Sequence, residues 1–180
     1  MPRVASSGSD DGGNPYRALL RTHGPFVMAP MVVMSERAFR ILCRRHGVGL
    51  CFSPMVTEQR VLAGECPYTE EVLQSCAVDG PLVAQIAGAD PPRVLAAAQR
   101  LASAGTICGV DLNLGCPQAC ARDAGFGVFL NQRDPDTAVA IVRVRAVNDW
   151  AAWFDVRPCI DSGISLERMH SCWQRSWTCL

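Results

Sequence analysis

With 180 residues, 49% of them apolar, the chain can bury one modest core and is too short for several. Its basic and acidic residues, seventeen of each, cancel to a formal charge of zero, so overall charge carries no sign of nucleic-acid binding. No segment reaches the ~18 continuous apolar residues of a membrane span, and the opening Met1-Pro2-Arg3-Val4 lacks a signal peptide's apolar stretch, so an intracellular location, cytoplasmic or nuclear, is expected.

Residues 1–15 are rich in Ser, Gly and Asp without periodicity and read as a disordered leader. Residues 16–147 alternate short apolar runs with helical stretches. Phe26 to Met31 reads as a first buried strand, followed by a helix capped at Ser35, with Ala38, Phe39, Leu42 and Cys43 on its apolar face and His46-Gly47 closing it. Leu50 to Met55 gives a second strand and Pro81 to Gly88 a third. A long helix from about Pro92 to Ala104 follows, with Asp90 at its capping end. The run Gly109-Val110-Asp111-Leu112 gives a fourth strand that stops abruptly at Gly115-Cys116-Pro117, and Asp134-Pro135 opens a further helix to about Val147. Strand and helix alternating at this spacing predict parallel βαβ units. The expected fold class is α/β: a partial TIM (β/α)8 barrel of about four βα units, since the full barrel takes ~250 residues.

Ten cysteines invite two structural readings, disulfides or zinc. Without a signal peptide a disulfide framework is disfavoured, and no Cys-x-x-Cys pair supports a zinc ribbon. No metal and no membrane partner are therefore expected, and most thiols read as small core fillers. Cys116 differs by its context. It sits at the C-terminal mouth of a strand, where α/β barrels keep their catalytic groups. A buried structural thiol in a tight turn is the alternative. Gln85, alone among apolar neighbours in the third strand, must find hydrogen-bond partners or cost ~1–3 kcal/mol. A cofactor edge and a backbone loop are both ways to satisfy it.

Asn113-Leu114-Gly115-Cys116-Pro117, Met28-Ala29-Pro30-Met31 and Gln85 together closely resemble the active-site motifs of the tRNA-dihydrouridine synthases, over roughly residues 24–145. The resemblance implies a flavoenzyme that reduces the C5–C6 bond of uridines in tRNA, with FMN as cofactor, NADPH as reductant and tRNA as substrate. By position, Pro30, Met31, Val32, Gln85 and Asn113 would bind the flavin, and Asn113 would also contact the target uracil. Cys116 would be the proton donor to C5, a task that suits a thiol, since its ordinary pKa of ~8.5 keeps it protonated at neutral pH. Arg122 would meet RNA phosphate. Arg122 to Leu130 is similar to the family's mobile Gly-rich loop, with Gly125 and Gly127 as hinges; a plain loop leading into a helix is the alternative. Asp111 to Gln118, with Arg44-Arg45-His46-Gly47, looks most like the eukaryotic branch acting on D-loop uridines.

Other features depart from the family pattern. All the basic residues are Arg, most simply from a GC-rich coding sequence, so the family's Lys-x-Arg strand has no counterpart here. Its His-Gly-Arg strand is also missing, His170 standing in Met-His-Ser. All four tryptophans lie at residues 148–180, where no fifth strand emerges. That stretch is expected to be an atypical tail, either lineage-specific or left by a frameshift, retained intron or mispredicted exon, which would make the barrel truncated. A non-catalytic half-barrel or partner-dependent fragment is the alternative function. A dihydroorotate or ene-reductase relative is disfavoured by the Cys-Pro.

Overall fold

A computed structural model of the chain describes residues 15–64, 66–74, 77–103 and 107–144. The expected tail, and the expected leader apart from Pro15, lie outside the described residues. The described chain begins with a helix that the sequence pattern did not announce, α1 (Pro15–His23), followed by β1 (Phe26–Met28) and α2 (Arg37–Arg45). Next come β2 (Val48–Phe52), a two-residue strand β3 (Val56–Thr57), and the short helices α3 (Glu58–Ala63) and α4 (Pro67–Leu73). A single 3₁₀ turn, Ala77–Asp79, precedes β4 (Leu82–Ala87) and α5 (Pro91–Ala102). The last elements are β5 (Ile107–Leu112), α6 (Ala119–Ala124), α7 (Val128–Arg133) and α8 (Pro135–Val144).

All strand pairs are parallel, with β1 beside β2, β2 and β3 beside β4, and β4 beside β5. The β2 pairing aligns Cys51 with Leu82, and the β3 pairing aligns Val56 with Ile86, so β3 takes up the same edge of β4 where β2 leaves it. Between them Pro54 has no N–H to give the ladder. Ser53 fills the break: its backbone N–H donates to Val83 O at 2.8 Å and its Oγ accepts from Gln85 N–H at 3.0 Å. Counting β2 and β3 as one interrupted strand, each new strand is laid on the same side of the last. That order is the winding of a (β/α)8 barrel, not of a doubly wound sheet, whose order reverses at its centre. The protein is thus α/β, with four βα units arranged as part of a TIM barrel.

Packing follows the period-2 alternation of the strands. On β4, Leu82, Ala84 and Ile86 join Val94, Ala97, Ala98 and Leu101 of α5 in the main apolar core, together with Val110 and Leu112 of β5. Each fully buried Leu, Ile or Val side chain of this set contributes roughly 1.5–3 kcal/mol. Gln85 lies on the opposite face, toward the inside of the barrel. Cys51 and Cys66 are buried in the main core, as small apolar fillers should be. Asp90 caps α5 as expected, its Oδ1 accepting from Arg93 N–H at 3.0 Å. Asp134 likewise caps α8, its carboxylate accepting from both the N–H and the hydroxyl of Thr137.

Two expectations for the first helix are corrected. Glu36, not Ser35, is the N-cap of α2, and it makes no side-chain cap bond. The Ser35 hydroxyl is held by the preceding turn: it accepts from Met31 N–H at 2.9 Å and donates to Met31 O at 2.8 Å. Nor is the buried face of α2 the Ala38–Phe39–Leu42 stripe, which is exposed. The residue buried from α2 is Arg40, at 0% exposure. Its Nε donates to Asp79 Oδ1 at 2.8 Å, and its Nη1 to Ser35 O at 2.6 Å and to Glu71 Oε1 at 2.9 Å. Burial alone would lower the guanidinium pKa, but the Asp79 and Glu71 carboxylates reverse the effect and hold it above the ordinary value.

Candidate functional site

The strand ends and the loops after them enclose a cleft of about 750 Å³. Such a position, outside the carboxyl ends of parallel strands, is where barrel enzymes carry their sites. Pro30 and Val32 line it from the segment after β1, Met55 from the break between β2 and β3, and Gln85 from β4. Asp111, Asn113 and Cys116 line it from β5 and the turn that follows, and Cys120 from the start of α6. Five of the seven expected site residues thus meet in one cleft: Pro30, Val32, Gln85, Asn113 and Cys116.

Met31 and Arg122 do not line it. The Met31 side chain is half-buried against the main core. Arg122, exposed on α6, bonds its Nε to Asp123 Oδ1 at 3.0 Å. Next to Val32, Val33 holds φ at +70°, a left-handed conformation that costs a β-branched residue about 1–3 kcal/mol. Strain is therefore built into the turn that presents Val32 to the cleft.

Local hydrogen bonding explains how Cys116 is placed. Asn113 N–H donates to Ile86 O at 2.8 Å and so extends the β5 ladder by one residue. Its side chain then caps the turn: Oδ1 accepts from Gly115 N–H at 3.1 Å and from Cys116 N–H at 2.9 Å. An Asx turn of this kind fixes the backbone on which the thiol sits. The half-buried Cys116 packs against a small cluster of Ala87, Ala121 and Phe126. Behind it, Val128 N–H donates to Cys116 O at 3.3 Å. Gly127, at φ +66°, presses on the same peptide; a Cβ there would stand 2.6 Å from Cys116 O.

The Gly-rich stretch differs from the loop that was expected. It forms α6 and α7, with Gly125 as the left-handed C-cap of the first and Gly127 as the N-cap of the second. Neither helix exceeds two turns, so neither shows enough periodicity to be read in advance.

Gln85 is satisfied by neighbouring side chains. Its Nε2 donates to Asp111 Oδ2 at 2.6 Å, and its Oε1 accepts from Asn113 Nδ2 at 3.4 Å. Asn113 Nδ2 also reaches Met55 Sδ at 3.2 Å. Asp111 is the site residue that sequence reasoning missed. It lies directly opposite Gln85 in the strand register, and two residues before Asn113 on the same face. Burial pushes its carboxyl pKa up to about 6, against the opposing effect of the Gln85 hydrogen bond. The signal was its period-2 spacing from Asn113, which acquires meaning only once the neighbouring strand is known.

Chemically, the cleft offers apolar walls, the amides of Gln85, Asn113 and Gln118, the Asp111 carboxyl and the thiols of Cys116 and Cys120. The lining side chains of Pro30, Val32, Met55 and Leu114 with the Gln85 and Asn113 amides suit a flat heteroaromatic ring with polar edges. Among the described residues no cationic side chain lines it, and no group of three His, Cys, Asp or Glu is placed to hold a metal ion.

Comparison with known proteins agrees with this geometry. A Rattus norvegicus protein named as tRNA-dihydrouridine(16/17) synthase-like is 42% identical over 108 residues, which is 59% of this chain and 24% of the rat protein. The Saccharomyces cerevisiae tRNA-dihydrouridine(16/17) synthase is 42% identical over 107 residues, 58% of this chain and 25% of the yeast protein. The tRNA-dihydrouridine synthase B of Pseudomonas aeruginosa is 38% identical over 108 residues, 59% and 32% of the two chains. The matched stretch thus spans about a quarter to a third of these relatives' length. The sequence model of the dihydrouridine synthase (Dus) family matches residues 27–152, which takes in β1 from its second residue, all of the other strands and every residue lining the cleft. By that match, the chain belongs to the dihydrouridine synthase family.

Proposed function

We propose that the chain carries the thiol side of a tRNA-dihydrouridine synthase active site, and that its reaction is reduction of the C5–C6 bond of a uracil in tRNA. The observation that supports this best is the meeting of Pro30, Val32, Gln85, Asn113 and Cys116 in one cleft at the carboxyl ends of parallel strands. The relatives' names give positions 16 and 17 of tRNA, and we take those uridines as the substrate here too.

FMN fits the cleft at its ring end: Pro30 and Val32 offer an apolar face, and the Gln85 and Asn113 amides offer hydrogen bonds to the ring edge. When bound and reduced by NADPH, it supplies the hydride that C6 of the uracil accepts. The chain's own residues do the rest. A uracil must leave the base stack to enter such a cleft. Asn113 fixes the peptide N–H groups of Gly115 and Cys116 and so aims the thiol. Cys116 gives the Sγ proton to C5 and recovers one from solvent after the product leaves. Arg122, outside the cleft and exposed, meets tRNA phosphate once its contact with Asp123 is exchanged.

The test is reconstitution of the full chain with FMN, NADPH and tRNA lacking dihydrouridine, scored by dihydrouridine formed and by FMN retained. Wild type is expected to retain FMN and form product. Cys116→Ala should retain FMN equally while product formation falls by about 10²–10⁴. Undiminished product from that variant would remove Cys116 from the reaction. Failure of wild type to retain FMN would overturn the enzyme reading.

A further inference from the structure

The cleft contains a directional chain of hydrogen bonds that ends at the cysteine peptide. Asp111 Oδ2 accepts from Gln85 Nε2 at 2.6 Å, and Gln85 Oε1 accepts from Asn113 Nδ2 at 3.4 Å. Asn113 Oδ1 in turn accepts from the N–H groups of Gly115 and Cys116. An amide side chain has a donor end and an acceptor end, and either can face a neighbour. A carboxylate cannot be flipped in this sense: it only accepts. From these contacts we infer that Asp111 is a positioning residue, which through the Gln85 and Asn113 amides sets both the polar edge of the cleft and the peptide that carries Cys116.

With Asp111 ionised, Gln85 must turn its NH₂ toward β5, so its carbonyl faces Asn113. Asn113 must then turn its NH₂ toward Gln85, which leaves its carbonyl for the two peptide N–H groups of the turn. Gln85 has one further N–H not engaged in the chain, and the second N–H of Asn113 rests on the weak acceptor Met55 Sδ at 3.2 Å, so the cleft edge offers N–H donors and suits a ligand edge bearing acceptors, such as a ring carbonyl or ring nitrogen. Reverse Gln85 and this order fails: two carbonyls or two NH₂ groups would face each other. The charge that sets the order is otherwise isolated. Among the described lining residues the other titratable groups are the thiols of Cys116 and Cys120; no Arg, His or second carboxylate faces Asp111.

This inference adds to the flavin-enzyme reading, but its test does not need the flavin. In the full chain, ¹⁵N–¹H spectra would follow the side-chain NH₂ signals of Gln85 and Asn113 and the backbone N–H of Cys116 across the pH range in which Asp111 gains its proton. All three are expected to move together with one midpoint near 6 in wild type. In Asp111→Asn the movements should vanish. In Gln85→Met, Asp111 should still titrate while Asn113 and Cys116 no longer respond. Such a response reports on the chain itself, which a merely structural Asp111 would not produce. Independent behaviour of the three signals in wild type, or their continued joint movement in Gln85→Met, would overturn the proposal. FMN titration of the same proteins separates the two claims. Binding about tenfold weaker in Asp111→Asn than in wild type supports positioning toward the ring, and unchanged binding overturns that part. Absence of FMN binding by wild type overturns the flavin reading, while the spectra still decide the hydrogen-bond chain.

Discussion

Asp111 also makes the native state sensitive to pH. Burial raises its folded pKa to about 6, whereas an unfolded Asp titrates near ~3.9. A carboxyl whose folded pKa lies above its unfolded value favours the fold while protonated. Its contribution is complete below about pH 4 and is lost as pH rises through about 6. At neutral pH the ionised group therefore opposes folding. Asp111→Asn removes that opposition, and the variant should be more stable than wild type at about pH 7, with the gap closing toward pH 4. Urea unfolding at a series of pH values checks this; a gap constant across the series would refute it. At this scale the motif residues were legible because Asn113, Gly115, Cys116 and Pro117 form a compact signature that needs no neighbour to interpret. Asp111 stands inside the same stretch yet went unread, since only the β4–β5 register brings it opposite Gln85.

Short elements govern how the thiol is supported. The two glycines that flank Phe126 look equivalent in the sequence, and both hold positive φ, +74° at Gly125 and +66° at Gly127. Their surroundings differ. A Cβ at Gly125 meets nothing within 4 Å, so Gly125→Ala bears only the left-handed penalty of about 1–2 kcal/mol. A Cβ at Gly127 would press against Cys116 O, N and Cβ, the nearest at 2.6 Å. Gly127→Ala should therefore destabilise the protein more than Gly125→Ala, and should shift the Cys116 backbone N–H signal where Gly125→Ala leaves it in place. Equal thermal shifts for the two variants would argue against this packing. The helices involved were not foreseen because six-residue segments present less than two turns of pattern. The strand–helix alternation is legible in the sequence at β1, α2 and β2 and again at β4, α5, β5 and α8, where apolar runs and helices show their period or their bounding Gly and Pro.

Across the whole molecule, Arg40 links three successive βα units. It extends from α2 to Glu71 on α4 and to Asp79 in the turn before β4. Removing one partner of a buried pair costs about 3–5 kcal/mol, and without Asp79 the fully buried Arg40 would keep only the part-buried Glu71 carboxylate as counter-charge. Against a typical domain stability of ~5–15 kcal/mol, Asp79→Ala should lower the melting temperature severely. The double variant Arg40→Met/Asp79→Leu should recover much of the loss, because no fully buried charge then remains and Glu71, 21% exposed, keeps the hydrogen bond from Arg37 N–H. A melting temperature for Asp79→Ala close to wild type would show that the link carries little. The helix period pointed to an apolar buried face on α2, and the carboxylates that make a buried Arg tolerable lie 31 and 39 residues away in the chain. Among the described residues, β1 pairs only with β2 and β5 only with β4, so the sheet has two lateral edges.

The amino end of the described chain has a practical bearing of its own. Gly49 on β2 lies so close to the end of α1 that a Cβ there would stand 2.2 Å from His23 O. Main chain rests on main chain at that point, and any side chain would pry the two apart. Yet the stretch by which the family is recognised opens only at residue 27, beyond the whole of α1. A polypeptide trimmed to the recognisable homology would lose the support under its second strand, so α1 must be kept when the ends of a minimal folding unit are chosen.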